Sequence, residues 1–353
     1  MPLHHRPAAV RPRPRWFAGV FAAAVLVAPL GLVGITPAGL GTVSGDQVRL
    51  MARGEVRLSA SWSGTAFVAG RRATVSGTAR PAASVHRVVL QRRTPAGWVN
   101  VRSVNPRTAR YAIRVPTRWY GRFVYRVRAV ARPGTASTSS ARKRVRVVPA
   151  YRPRGSARSH ELAASPVARW DSCQVIGYRV NASEARDGAR RDVRRALHRV
   201  SRATGLRFAY RGRTDIVPGS LFNIYPEDTD LVFAWARPRE SALLLSSPGN
   251  PMGVGGAAWR SGLQLADGSP VSQIVSGQVV IDATQQDRVS PGFGKGFTRG
   301  ELLMHEIGHA VGLQHVDDRR QMMYPLMQPG RARWGAGDLA GLAKLGANQG
   351  CLS

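Results

Sequence analysis

The chain predicts an α+β domain following a separate all-β sandwich, and three observations predict it. Between 64 and 149, short runs put apolar residues at every second position. From 169 to 353 a helical period comes first, then most of the extended runs, then a second helical period. Between them, 150–168 is rich in Pro, Ser, Ala, Gly and Arg with no period and reads as a linker. At 353 residues the chain is long enough to bury a core in each region.

In the first region Arg72 to Thr78, Val85 to Gln91, Trp98 to Val101, Tyr111 to Val115, Phe123 to Val130 and Arg144 to Val148 alternate. Turn formers such as Thr94-Pro95-Ala96-Gly97 and Pro133-Gly134 separate them, as in a small antiparallel sandwich. The formal charge of +32 is concentrated here: 29 Lys and Arg stand against 3 acidic residues before Arg169, and 23 against 17 from there on. The module itself carries 19 basic residues and no acid, so many must lie on its solvent face. Such a surface concentrates polyanions in a salt-sensitive way. Candidate partners are an anionic cell-wall polymer, an acidic polysaccharide or lipid head groups. The alternative is a solvated arginine bias with no partner. No recognition helix or zinc finger accompanies the charge, so nucleic acid is not expected.

Upstream, Arg11-Pro12-Arg13-Pro14-Arg15 leads into the uncharged apolar stretch Trp16 to Ile35. A basic leader before an apolar run is an export signal, and about 20 residues also suffice to span a bilayer. Residues 1–38 are therefore a signal peptide or an N-terminal membrane anchor, and 39–63 a linker. Either way the protein is secreted or held at the cell surface, and it meets a membrane only through this segment. Cys173 and Cys351 bracket the last region. They are read as one disulfide, with two unpaired thiols as the alternative.

In the last region Gln174 to Val180, Leu206 to Tyr210, Thr229 to Ala234 and Gln278 to Asp282 read as strands. Asn181 or Ser183 can cap a helix whose apolar face is Ala189, Val193, Ala196, Leu197 and Val200. The decisive stretch is Thr298 to His315, T-R-G-E-L-L-M-H-E-I-G-H-A-V-G-L-Q-H. Thr298 and Glu301 form a capping box that starts a helix one turn before the first histidine. His305 and His309 then share a helical face and can converge on one ion. Glu306 is placed to take a proton from water on that ion. Gly312 can end the helix in a left-handed turn, so that the chain doubles back and His315 completes three ligands. Three protein ligands leave a position open, as a catalytic zinc site needs.

This H-E-I-G-H-A-V-G-L-Q-H, followed by Met323-Tyr324-Pro325, resembles the metzincins and, within them, the matrixins. The resemblance covers roughly Trp170 to Leu352, within a domain placed at 169–353, and implies a twisted mixed sheet with three helices, Zn2+ as cofactor, and cleavage of protein or peptide substrates. It assigns His305, His309 and His315 as metal ligands and Glu306 as the catalytic base. It also assigns Met323, or alternatively Met322, to the methionine turn beneath the metal. Gly255, Gly256 and Ala257 would be the edge strand that pairs with substrate, and Tyr324 and Pro325 would wall the pocket. Residues 336–345 are similar to the family's closing helix. Residues 64–149 resemble the immunoglobulin-like modules of secreted bacterial proteins. No P-R-C-G cysteine switch, second histidine zinc set or acidic calcium loop is present, and Asp317-Asp318 stand where many relatives carry Ser. Two rivals share the sequence: a zinc hydrolase of another amide or ester, and a polyanion-binding protein whose zinc domain is vestigial.

Overall fold

The computed structural model of the chain describes residues 55–220, 224–245, 247, 249–330 and 332–352. The leader and the apolar stretch Trp16 to Ile35 lie outside these residues. No described helix is long and apolar enough to cross a membrane.

The first region folds into β1 (Arg57–Leu58), β2 (Ser61–Trp62), β3 (Ala66–Val68), β4 (Thr74–Arg80), β5 (Val85–Thr94), β6 (Gly97–Val104), β7 (Arg110–Arg114), β8 (Gly121–Ala131), β9 (Thr138–Ser139) and β10 (Lys143–Val148). One sheet joins β1 and β2 to β4, with β7 also on β4; the other runs β3-β10-β8-β5-β6, with β9 on β8. Alternation sets the faces. Along β8, Phe123, Tyr125, Val127 and Ala129 are buried while Arg122 and Arg128 are exposed. Val75, Tyr111 and Ile113 of the smaller sheet share one core with Leu90, Val127 and Val147 of the larger. Pairing begins at Arg57, inside the stretch expected as a linker, because β1 and β2 both add to β4.

The second region contains β11 (Glu161–Leu162), β12 (Ala168–Arg169), β13 (Val175–Asn181), α1 (Ala189–Thr204), β14 (Arg207–Arg213), β15 (Leu231–Ala236), α2 (Ala242–Leu245), β16 (Gly253–Gln264), β17 (Pro270–Asp282), α3 (Arg299–Ala310), β18 (Leu313–Gln314) and α4 (Ala336–Leu345). Its main sheet is mixed. β12-β17-β15-β13-β14 are parallel, and β16 pairs antiparallel with β17. β15, L-V-F-A-W-A, is buried throughout, as a central parallel strand requires. Val193, Leu197 and Val200 of α1 meet Leu303 and Ile307 of α3 in a second core.

Two expectations are corrected. α1 does not begin at Asn181 or Ser183. Its N-cap is Gly188 at φ +78°, and the Asn181 side chain instead accepts from the backbone N–H of Ser183 at 3.2 Å, closing a turn. The stretch 150–168 is not a free linker either. Glu161–Leu162 pairs antiparallel with Leu313–Gln314, the Tyr151 hydroxyl donates to Trp334 O at 3.2 Å, and Ala336 N donates to Arg154 O at 2.7 Å. These are mostly backbone bonds, which side-chain periodicity does not announce. The two regions are also bonded to each other. Tyr120 N donates to Arg202 O at 2.8 Å, Arg202 to Ala69 O at 2.7 Å, and Trp119 Nε1 to Asn348 Oδ1 at 3.3 Å.

Candidate metal centre

The site is built on α3. Thr298 caps it, accepting from Glu301 N at 3.2 Å. The reciprocal half of the expected capping box is absent: the Glu301 carboxylate accepts from Gln328 N at 3.1 Å instead. Leu302, Leu303, Ile307 and Ala310 bury one side of the helix. The four-residue spacing leaves His305 and His309 side by side on another face. The helix ends at Ala310, and Gly312 takes φ +107°, which a side chain rarely tolerates. A Cβ there would also press on Ala168 O. β18 then carries the chain back to His315.

The three imidazoles converge. His315 Nε2 lies 3.1 Å from His305 Nε2 and 3.1 Å from His309 Nε2. His305 Nδ1 lies 2.8 Å from Met322 O and His309 Nδ1 2.9 Å from Leu313 O. A carbonyl only accepts, so both Nδ1 atoms carry the proton and both Nε2 atoms turn lone pairs inward. Burial, reinforced by the neighbouring imidazoles, pushes His305 down to about 3 and His309 down to about 4; burial lowers His315 as well. All three are therefore neutral near pH 7. Converging lone pairs with no proton between them suit a cation. Ligands at Zn–N distances of 2.0–2.1 Å in a tetrahedron stand about 3.3 Å apart, close to what is seen. The donor set fits zinc, with the carbonyls of Met322 and Leu313 orienting the rings.

Glu306 is 5% exposed and its carboxylate accepts a hydrogen bond from the Gly255 backbone. Burial pushes it up to about 8, a shift that the Gly255 N–H opposes. Gly255 is thus turned toward α3. A Cβ on it would collide with the Glu306 carbonyl oxygen, which only glycine avoids. Gly256 and Ala257 continue along β16, whose only ladder partner among the described residues is β17.

Met323 and Met322 divide the work between them. Met323 is 1% exposed, and its Sδ packs against Gly308 of α3, while Met322 offers its carbonyl to His305. Tyr324 is half-buried, with its hydroxyl 3.4 Å from Arg319 Nε, and Pro325 is exposed; both follow the turn directly. Sequence reasoning missed Asp338. Its carboxylate accepts from the N–H groups of Met322, Met323 and Gly335 at 2.6, 3.2 and 2.7 Å. Its place at the third position of α4 hints at a cap, but nothing local shows the reach to the methionines. Cys173 and Cys351 form a disulfide, so their grouping with Asp171 is not a metal centre.

The matrixin (peptidase M10) family model matches residues 255–345, the segment holding the triad, Glu306, both methionines and α4. With the histidine geometry, that match defines a metzincin-like region and supports a zinc metalloprotease function. Among solved structures, the chain is similar to high choriolytic enzyme 1, a hatching enzyme zinc-protease from Oryzias latipes (Medaka fish). That alignment has 17% identity and a TM-score of 0.20, and covers 42% of this chain and half of the hatching enzyme's. No curated protein matches.

Proposed function

We propose that the chain is a secreted or surface-anchored zinc endopeptidase. The observation that carries the zinc chemistry is His315 Nε2 lying 3.1 Å from the Nε2 atoms of both His305 and His309, with the buried Glu306 next to His305 in the chain. Bound zinc supplies a Lewis acid that polarises a carbonyl and acidifies water. His305, His309 and His315 hold the ion. Burial alone raises Glu306, and a cation held by the triad would bring it back to the ionised form. Its carboxylate, fixed by Gly255 N–H, then accepts the proton of the attacking water and passes it to the leaving amine. The peptide lies extended along the open edge of β16, past Gly256 and Ala257, where main-chain hydrogen bonds add it as a strand. Tyr324 and Pro325 wall the pocket beyond the scissile bond.

Around this centre, residues 64–149 act as an immunoglobulin-like module whose exposed arginines, such as Arg122 opposite Arg146, hold the enzyme on an anionic wall polymer. Residues 1–38 export the chain and are either removed or kept as its anchor. The test is cleavage of a denatured protein by the full chain. Cleavage should stop with chelator, return with zinc, and be absent in Glu306→Ala. Cleavage surviving chelator and the variant alike would overturn the reading.

A further inference from the structure

Where the two regions meet, they form an open pocket of about 1000 Å³. Arg92 of β5 and Arg118 line it from the first region; Arg202 of α1, Arg207 of β14 and His198 line it from the second. Among the described residues that line it Asp267 is the one acid, and its Oδ1 is engaged by Ser269 N at 3.0 Å.

Two of these arginines are half-buried, and each carries a buried Nε that no described residue pairs. Arg92 lies over the rings of Trp119 and Phe123, at 5.2 and 5.9 Å, and its Nε is buried with no hydrogen-bond partner. Arg202 donates one nitrogen to Ala69 O at 2.7 Å, yet its Nε is also buried and unpartnered. A cation taken out of water is ordinarily held by a carboxylate, because uncompensated burial costs several kcal/mol. Arg202 stands in the last turn of α1, where the helix dipole offsets only part of its charge. At the C-terminus of α1, Ser201 O already accepts from Gly205 N and Arg202 O from Tyr120 N. Trp119 and Phe208 give the same pocket apolar walls.

We propose that this pocket is a binding site for a small oxyanion carried on an apolar body, of the aryl dicarboxylate or phosphate monoester kind. A guanidinium fork takes two oxygens side by side, which suits carboxylate and phosphate alike. The flat walls at Trp119 and Phe208 cover the carbon skeleton, and the volume lies at the upper end of small-molecule sites. Because its cationic walls come from both regions, an occupant clamps them together and stabilises the folded chain. The site rests on its own residues and is independent of the metal centre.

The experiment follows thermal unfolding of the full chain, at fixed ionic strength, against isophthalate and separately against inorganic phosphate. Isophthalate is expected to give a saturable rise in Tm, with phosphate weaker because it leaves Trp119 uncovered. Arg92→Gln is expected to weaken the isophthalate response about tenfold or more. Arg118 is exposed, so Arg118→Gln leaves the packing intact and should weaken it too, keeping the test decisive if the Arg92 variant folds poorly. Arg158→Gln/Arg239→Gln, both exposed and away from the pocket, should respond like the wild type. No saturable shift, or an equal shift in all three variants, would overturn the proposal in favour of general screening of a basic surface.

Discussion

The carboxylate of Asp338 accepts the backbone N–H of Met323 at 3.2 Å, tying the first turn of α4 to the turn beneath the three histidines. The same carboxylate holds Met322 N, and the Met322 carbonyl in turn fixes His305 Nδ1. Asp338 therefore sits two hydrogen bonds from His305, a proposed metal ligand. Asp338→Asn keeps the shape but replaces an accepting oxygen by a donating NH2, leaving at least one backbone N–H facing a donor. The expected loss is about 1–3 kcal/mol of stability. Zinc affinity should fall about 10–100-fold, the usual result when an orienting partner of a ligand is lost. Metal competition with a chromophoric chelator reads the second effect, and unchanged zinc affinity in a folded variant would remove Asp338 from this role.

Gly255 sets the approach of β16 to α3. A Cβ at this position would collide with the Glu306 carbonyl oxygen, backbone against backbone, so no side-chain rotation relieves it. Gly255→Ala should push β16 outward, cost roughly 1–3 kcal/mol, and release the Glu306 carboxylate from its N–H partner. Activity should drop with zinc content unchanged, since the carbonyls that orient His305 and His309 belong to Met322 and Leu313 and not to β16. Equal kcat/KM in variant and wild type would show that the edge strand does not position Glu306.

Much of this architecture was legible in the chain because it is written in periodicity. The six alternating runs of the first region are strands, and the spacing of His305, His309 and His315 places them together. What escaped was held by backbone or by single long-range bonds. β11 pairs through main-chain groups with β18, so 150–168 carried no pattern to read. Asn181 looked like a helix cap but closes a turn, because Gly188 lets α1 start six residues later than Ser183. The Glu301 carboxylate left its cap for Gln328, a partner 27 residues away that no local rule names.

The Cys173–Cys351 bond closes a loop of 178 residues around the second region. Arg169 supports the same tail, donating to Gly350 O at 2.8 Å and to Gln349 O at 3.3 Å. On the chain-entropy account, a loop of this length contributes roughly 5 kcal/mol. Cys351→Ser, or reduction of the wild type, should lower Tm by roughly 10–20 °C. Well below that temperature the triad stays assembled, so kcat should be nearly unchanged. A fall in Tm of only a degree or two would show that the Arg169 contacts hold the tail without the disulfide.

Glu301 gives stability a pH dependence of definite sign. It is 7% exposed, its Oε2 is buried without a partner, and burial pushes it up to about 7 against the opposing Gln328 N–H. The unfolded chain ionises this group near 4.5. Between those two values the folded state binds the proton more tightly than the unfolded state does. Its contribution to stability is therefore fully present below about 4.5 and is lost as pH rises to about 7, with at most about 1.4 kcal/mol per pH unit. Glu301→Gln keeps an oxygen for Gln328 N but cannot ionise, so it should remove this slope. Urea midpoints at pH 5, 6, 7 and 8 for wild type and variant give the comparison. The variant should gain on the wild type as pH rises through that window, and the two should run parallel above it. Parallel curves throughout would mean that the folded chain accommodates the ionised carboxylate, with water reaching Oε2.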